Sequence, residues 1–268
     1  MNVLRVIPLC GGYEIGSASL LNRDAKSTPA HDRRVPSVLL PYVFYLIEHS
    51  KSLVLFDCGA RPDVSAQLGP ELGANVQVGQ DDVVTSRLRA LGCLPRDVDI
   101  VVVSHLHYDH GGGLDALRCS EVYLSRTELE FAMSNTAPQR EAYLSEDVQA
   151  LAHCPVRLVE DTLDIFGDGS LVIIPLPGHT PGHQGLLVRL AGSSLILAGD
   201  ASYRLADLRA RRPSGYLWDE AASLATFDTI EAIERSTKAE IVLSHDPASH
   251  AALPTISHQA VRHDFNSS

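Results

Sequence analysis

The chain has 268 residues, 45% of them hydrophobic, enough for one large domain with an ample core. Its formal charge of −11 at pH 7 argues against a polyanionic partner such as nucleic acid or an anionic membrane surface. No stretch approaches the apolar run that a membrane span needs, so no span is expected. The five cysteines (Cys10, Cys58, Cys93, Cys119, Cys154) are odd in number and form no Cys-x-x-Cys pair, which disfavours a disulfide framework or a Cys-rich zinc site. Met1–Cys10 lacks the basic start and apolar core of a signal peptide. A reducing, cytoplasmic address is therefore the expectation.

In chain order, short aliphatic runs followed by turn signals predict strands over Val3–Leu9, Tyr42–Glu48, Leu53–Asp57, Ile100–Ser104, Leu171–Pro175, Gly185–Arg189, Leu195–Asp200 and Ile241–His245. Residues 49–52 read as a tight hairpin turn. Val84, Leu88 and Leu91 share one helical face, entered by Asp81-Asp82 as N-cap and closed by Gly92. Residues 126–133, 139–152 and 219–235 carry helical spacing too, the last through Leu224, Phe227, Ile230 and Ile233. Residues 11–36 and 60–80 resist assignment, and long loops of this kind are candidates for a substrate mouth. Arg33-Arg34 and Arg209–Arg212 read as solvated basic faces. With no repeat and no long linker, residues 1–268 are read as a single domain, an α/β protein of two sheets with helices on the outer faces.

The chemistry is concentrated in Ser104-His105-Leu106-His107-Tyr108-Asp109-His110, followed by three glycines. Imidazole and carboxylate suit zinc and its first-row neighbours, and four such donors within six positions are hard to reach by chance. His105 and His107 alternate, so both project to one side of an extended segment, while Asp109 and His110 reach a second position. Other donors follow other strands: His179 or His183 after Leu171–Leu176, Asp200 after Leu195–Gly199, and His245 after Ile241–Ser244. Strands that deliver donors to one edge are what a rigid metal centre requires. A carboxylate such as Asp200 has two oxygens and is able to bridge two ions, and paired ions activate water near neutral pH.

His105-x-His107-x-Asp109-His110 resembles the signature of the metallo-β-lactamase superfamily. Pro177-Gly178-His179-Thr180-Pro181-Gly182-His183-Gln184, Asp200-Ala201-Ser202-Tyr203 and Ser244-His245-Asp246 narrow the resemblance to the N-acyl-homoserine lactonases. The resemblance implies an αβ/βα sandwich of two mixed sheets. One divalent ion would take His105, His107 and His179, the other Asp109, His110 and His245, with Asp200 bridging. His183 is left as a turn residue or a neighbour of the ligands, and Asp57 orients a ligand histidine. Zinc is the expected metal, although iron, manganese and cobalt suit the same donors. The implied activity is lactone opening by attack of a hydroxide shared between the ions. Tyr203 would steady the oxyanion, and Asp109 would carry the proton to the leaving oxygen.

The expected partner is a small-molecule lactone, and a homodimer is compatible with this reading. The early loops contain few aromatics, residues 60–80 none. Tyr13, Leu20, Leu21 and residues 213–218 are unranked candidates for the acyl pocket, and pyridoxolactone-type and other lactones stay open. A glyoxalase II-like thioester hydrolase would carry basic residues near its C-terminus, yet Arg262 is the one Lys or Arg after His245. A true β-lactamase would differ at the Asp-His doublet or place a cysteine at position 200. A nuclease would be basic, and a flavodiiron oxidoreductase would want a carboxylate at position 107. A non-catalytic metal-binding sensor is disfavoured because no ligand position is lost.

Overall fold

The computed structural model describes residues 2–21, 37–118, 120–134 and 139–251. Arg33-Arg34, most of the unassigned 11–36 stretch, Cys119 and the tail with Arg262 lie outside the described residues. Two mixed sheets face each other. The first contains β1 (Val3–Ser17), β2 (Ser37–His49), β3 (Ser52–Phe56), β4 (Val76–Gln77), β5 (Ile100–Val102), β6 (Glu121–Ser125) and β7 (Val156–Val159), ordered β4-β1-β2-β3-β5-β6-β7. The second contains β8 (Leu163–Asp164), β9 (Leu171–Pro175), β10 (Gln184–Arg189), β11 (Ser194–Leu197) and β12 (Glu240–Val242), ordered β12-β11-β10-β9-β8. Pairing is antiparallel at β1–β2 and β2–β3 but parallel from β3 through β5 and β6 to β7. In the second sheet β11–β12 is the parallel pair.

The two-residue period of the strands sorts side chains between layers. Tyr45, Ile47, Val54, Phe56 and Val102 point between the sheets, where they meet Ile173, Leu186, Val188 and Leu197. Their neighbours Leu46, Leu55 and Val101 point outward onto Val84 and Leu88 of α3 (Val84–Ala90) and onto Leu117 and Leu151. On the other sheet Ile174, Leu187, Ile196 and Ile241 pack under α7 (Leu205–Arg209) and α8 (Glu220–Thr237), through Leu208, Phe227 and Ile230. Helix, sheet, sheet and helix therefore stack as the αβ/βα sandwich that was expected. In α8 the Asp219 carboxylate caps the Ala222 N–H at 2.7 Å, and Lys238 closes the helix at φ +58°.

Several boundaries differ from the sequence reading. β1 runs on to Ser17, because Gly11-Gly12 form an irregularity in the β1–β2 ladder rather than the start of a loop. Gly12 sits at φ +107°, and a Cβ there would lie 2.5 Å from the Gln77 carbonyl oxygen. Residues 60–80 hold α1 (Val64–Gln67), α2 (Pro70–Gly73) and β4. Val83, not Asp81 or Asp82, precedes α3; the Asp82 carboxylate instead takes the Gly79 N–H and pairs with Arg87. Gly92 follows α3 at φ +79°, as expected. The 139–152 helix is broken into a 3-10 turn at Arg140–Ala142, α6 (Ser145–Ala150) and a second 3-10 turn. α4 (Tyr108–Gly111), α5 (Arg126–Met133) and α9 (Pro247–Ala251) complete the helices among the described residues. None of them is long and apolar enough to cross a membrane.

Candidate metal centre

β5, β9, β11 and β12 deliver His105, His179, Asp200 and His245 within a few residues of their C-terminal ends. The short α4 turns Asp109 and His110 back toward His105. All seven predicted ligands meet in one cluster, six of them buried and Asp109 partly exposed. The donor atoms of His105, His107 and His179 lie within 4.8 Å of one another, as do those of His105, His110 and Asp200, and those of Asp109, His110 and His245. His107 Nδ1 stands 3.0 Å from His105 Nε2 and 3.1 Å from His179 Nε2. Asp200 lies between the groups. Its Oδ1 is 3.3 Å from His110 Nε2, and its Oδ2 is 2.9 Å from His245 Nε2 and 3.5 Å from His179 Nε2. Asp109 Oδ2 stands 3.4 Å from His110 Nε2 and 3.5 Å from His245 Nε2.

Outer partners fix which ring nitrogen faces inward. His110 Nδ1–H donates to Asp57 Oδ2 at 2.8 Å, His179 Nδ1–H to the Tyr216 carbonyl at 3.1 Å, and His245 Nδ1–H to the Pro41 carbonyl at 2.8 Å. The Ser104 hydroxyl donates to Asp57 and accepts from His105 Nδ1–H at 3.0 Å. Each of these four rings thus turns Nε2 into the cluster, which is how outer carboxylates and carbonyls prepare metal-ligand imidazoles. Asp57 also takes the Ser104 N–H at 2.7 Å, from a backbone held at φ +61°. His183 is different. Its Nδ1–H donates to the Leu176 carbonyl and its Nε2 accepts the Asp200 N–H at 3.1 Å, so both nitrogens are committed and its role is to hold Asp200 in place.

The electrostatics fit cations. Burial, then the neighbouring imidazoles, pushes His105 and His107 well below the usual histidine range. Burial lowers His179 as well. Neutral imidazoles are the form that binds metal. Burial acts the same way on His110 and His245, but Asp200 and Asp109 outweigh it and raise both. Asp200 is held well below the carboxylate range, burial being outweighed by His245 and His110. Among the described residues, His110 Nε2 and Asp200 Oδ1 are buried with no hydrogen-bond partner, although they face each other. A buried polar atom without a partner is costly, and a shared cation would satisfy both. The donor set therefore fits a pair of divalent ions.

Over this cluster opens a cavity of about 460 Å³, lined by His107, Asp109, Asp200, Tyr203 and His245 at its floor and by Leu20, Leu40, Pro70, Leu72, Ala142 and Tyr216 on its apolar walls. Tyr203 packs edge-on against His245, ring centroids 5.0 Å apart, and against His179 at 5.9 Å. Both unassigned sequence stretches contribute to the mouth, through Glu14 and Leu20 and through Gly69–Leu72. Of the pocket candidates, Leu20 and Tyr216 line the cavity. Leu21 packs behind Tyr203 and Leu40, and Tyr13 is partly exposed outside the lining. Sequence reasoning missed Ser104, Tyr143 and Glu128: Ser104 is tied to the distant Asp57 as well as to the adjacent His105, and Glu128 gathers Tyr143, Leu106 and Thr180 only in the fold.

Residues 39–245 match the sequence profile of the metallo-beta-lactamase superfamily. The N-acyl homoserine lactonase AttM of Azorhizobium caulinodans is 31% identical over 217 residues, covering 78% of this chain and 82% of the relative. N-acyl homoserine lactonase AiiA of Bacillus thuringiensis subsp. kurstaki is 28% identical, covering 77% and 82%. Among solved structures, an N-acyl homoserine lactone hydrolase with N-hexanoyl-L-homoserine bound at its catalytic metal centre superposes with a TM-score of 0.82. It is 24% identical, with 96% of this chain and 98% of that chain covered. The dizinc quorum-quenching lactonase AidC superposes at 0.68 with 15% identity, covering 97% and 91%. The matched span and the level of identity place this chain in the metallo-beta-lactamase superfamily, among relatives named N-acyl homoserine lactonases.

Proposed function

We propose that the protein is a metal-dependent hydrolase that opens the lactone ring of N-acyl-homoserine lactones. In this reading His105, His107 and His179 hold one divalent ion, Asp109, His110 and His245 hold the other, and Asp200 serves both. The dizinc relative in the same fold supports zinc as the metal. Bound there, the ions supply Lewis-acid polarisation of the ester carbonyl and activation of water near neutral pH. The remaining work belongs to the chain. Burial pushes the Tyr203 phenol well above its ordinary range, which makes it a hydrogen-bond donor to charge developing on the carbonyl oxygen. Asp109 lines the cavity beside that position and is the group to carry a proton to the departing ring oxygen.

The observation that carries the substrate class is the cavity, in which the ligand residues and the carboxylates of Glu14 and Glu141 stand beside the aliphatic Leu20, Leu40, Pro70 and Leu72. Its volume of about 460 Å³ suits a small ligand with a polar ring and an aliphatic tail. The relatives' named substrates have that composition. Cys10, Cys58, Cys93 and Cys154 are all free thiols, which supports a cytoplasmic setting. A hydrolysis panel tests the reading, with acyl-homoserine lactones set against simple γ- and δ-lactones, a thioester and a β-lactam. Acyl-homoserine lactones are expected to be the fastest, with turnover lost on chelation and restored by zinc. Faster turnover of the thioester or β-lactam, or activity indifferent to chelation, overturns it.

A further inference from the structure

One fully buried carboxylate outside the ligand set gathers donors from both of the loops that carry the three-histidine group. Glu128, in the first turn of α5, accepts the Leu106 N–H at 3.0 Å and the Tyr143 hydroxyl at 2.9 Å on Oε1. Its Oε2 accepts the Thr180 hydroxyl at 2.6 Å, and the Gly182 N–H donates to the same carboxylate. Leu106 lies between His105 and His107, Thr180 follows His179, and the Tyr143 ring packs edge-on against His107 with centroids 4.8 Å apart. The 179–182 turn is pressed onto the start of α5: a Cβ on Gly182 would lie 2.1 Å from the Glu128 nitrogen. A carboxylate buried this deeply is tolerated because four donors converge on it, and those donors are thereby fixed relative to one another.

We propose that Glu128 is a positioning residue that locks the 105–107 segment to the 179–182 turn and so sets how tightly His105, His107 and His179 retain their metal ion. The other group is oriented by different partners, His110 by Asp57 and His245 by the Pro41 carbonyl, and none of the Glu128 donors lies on either residue. The effect is therefore selective for one of the two ions. This inference rests on the ligand assignment proposed above.

The test is zinc release to a coloured chelator from the zinc-loaded wild type, Glu128→Gln and Thr180→Val, with circular dichroism to establish folding. Glu128→Gln would turn a donor amide toward the Thr180 hydroxyl and Gly182 N–H, whereas Thr180→Val removes a single donor. In Glu128→Gln one zinc equivalent is expected to leave about 10-fold faster while the other keeps its wild-type rate. Thr180→Val is expected to show the same split with a smaller factor. Two equivalents leaving folded Glu128→Gln at wild-type rates, or both accelerated alike, overturns the inference. If Glu128→Gln does not fold, the presence or absence of the split in Thr180→Val decides. A wild type that binds fewer than two equivalents overturns the ligand assignment itself.

Discussion

Tyr203 owes its chemistry to what surrounds it. Its ring packs edge-on against His179 and His245 and clusters with Leu21 and Leu40, and burial raises its phenol well above the ordinary range. In the proposed reaction it serves as a hydrogen-bond donor. Tyr203→Phe keeps the packing and removes that donor, so kcat is expected to fall about 100-fold with a much smaller change in KM. Unchanged kcat across the lactone panel would remove Tyr203 from the reaction. The candidate ligands were readable as residues because they are chemically distinctive and crowd into His105–His110. Asp57 was half-legible, a turn aspartate at a strand end whose purpose depends on His110 and Ser104 being opposite it. Glu128 was not legible. It looks like an ordinary charged residue in the first turn of a helix, and its donors at 106, 143, 180 and 182 come together only in the fold.

At the scale of elements, the candidate ligands depend on how each strand ends. β11 leaves its sheet at Leu197, and Gly199 turns the chain at φ +53° so that Asp200 faces the cluster. A Cβ at Gly199 would lie 2.8 Å from His183 Nε2, the atom that accepts the Asp200 N–H. Gly199→Ala therefore adds left-handed backbone strain and displaces the imidazole that holds Asp200. A loss of about 1–3 kcal/mol is expected in denaturant unfolding, together with weaker zinc retention. Wild-type values for both would show that the turn relaxes freely. Strands with dense aliphatic alternation were visible in advance, and so was α8 with its period of Leu224, Phe227, Ile230 and Ile233. The edge strands β4 and β8 are two residues long and carry no period to read. β1 was cut short because paired glycines look the same in sequence whether they begin a loop or kink a continuing strand.

At the scale of the whole molecule, long-range polar ties join the layers, and one of them carries a pH dependence. Asp147 on α6 is almost fully buried, and its Oδ1 lies 3.4 Å from Arg61 in the segment after β3. Burial raises its carboxyl to about 7, with Arg61 opposing the shift. The unfolded chain has the ordinary value, so between the two values the folded state holds a proton that the unfolded state has lost. Its contribution to stability is therefore greatest in acid and declines as pH rises toward 7. Wild-type protein is expected to lose about 2 kcal/mol between roughly pH 5.5 and pH 8 that Asp147→Asn does not lose, measured as the difference between their unfolding free energies with zinc saturating. Parallel curves for the two proteins would contradict the shift.

The amino-acid order alone determined the donor chemistry and the layering, since ligand type and the two-residue period of strands are local properties of the chain. It left His179 and His183 as equal candidates on composition. The family resemblance favoured His179, and only the tertiary structure supplies the physical reason: His179 donates through Nδ1 to a carbonyl and turns Nε2 inward, whereas both nitrogens of His183 are used by the backbone of Leu176 and Asp200. Which lone pair remains available is set by hydrogen-bond partners far away in sequence, and those partners exist only once the sheets have come together.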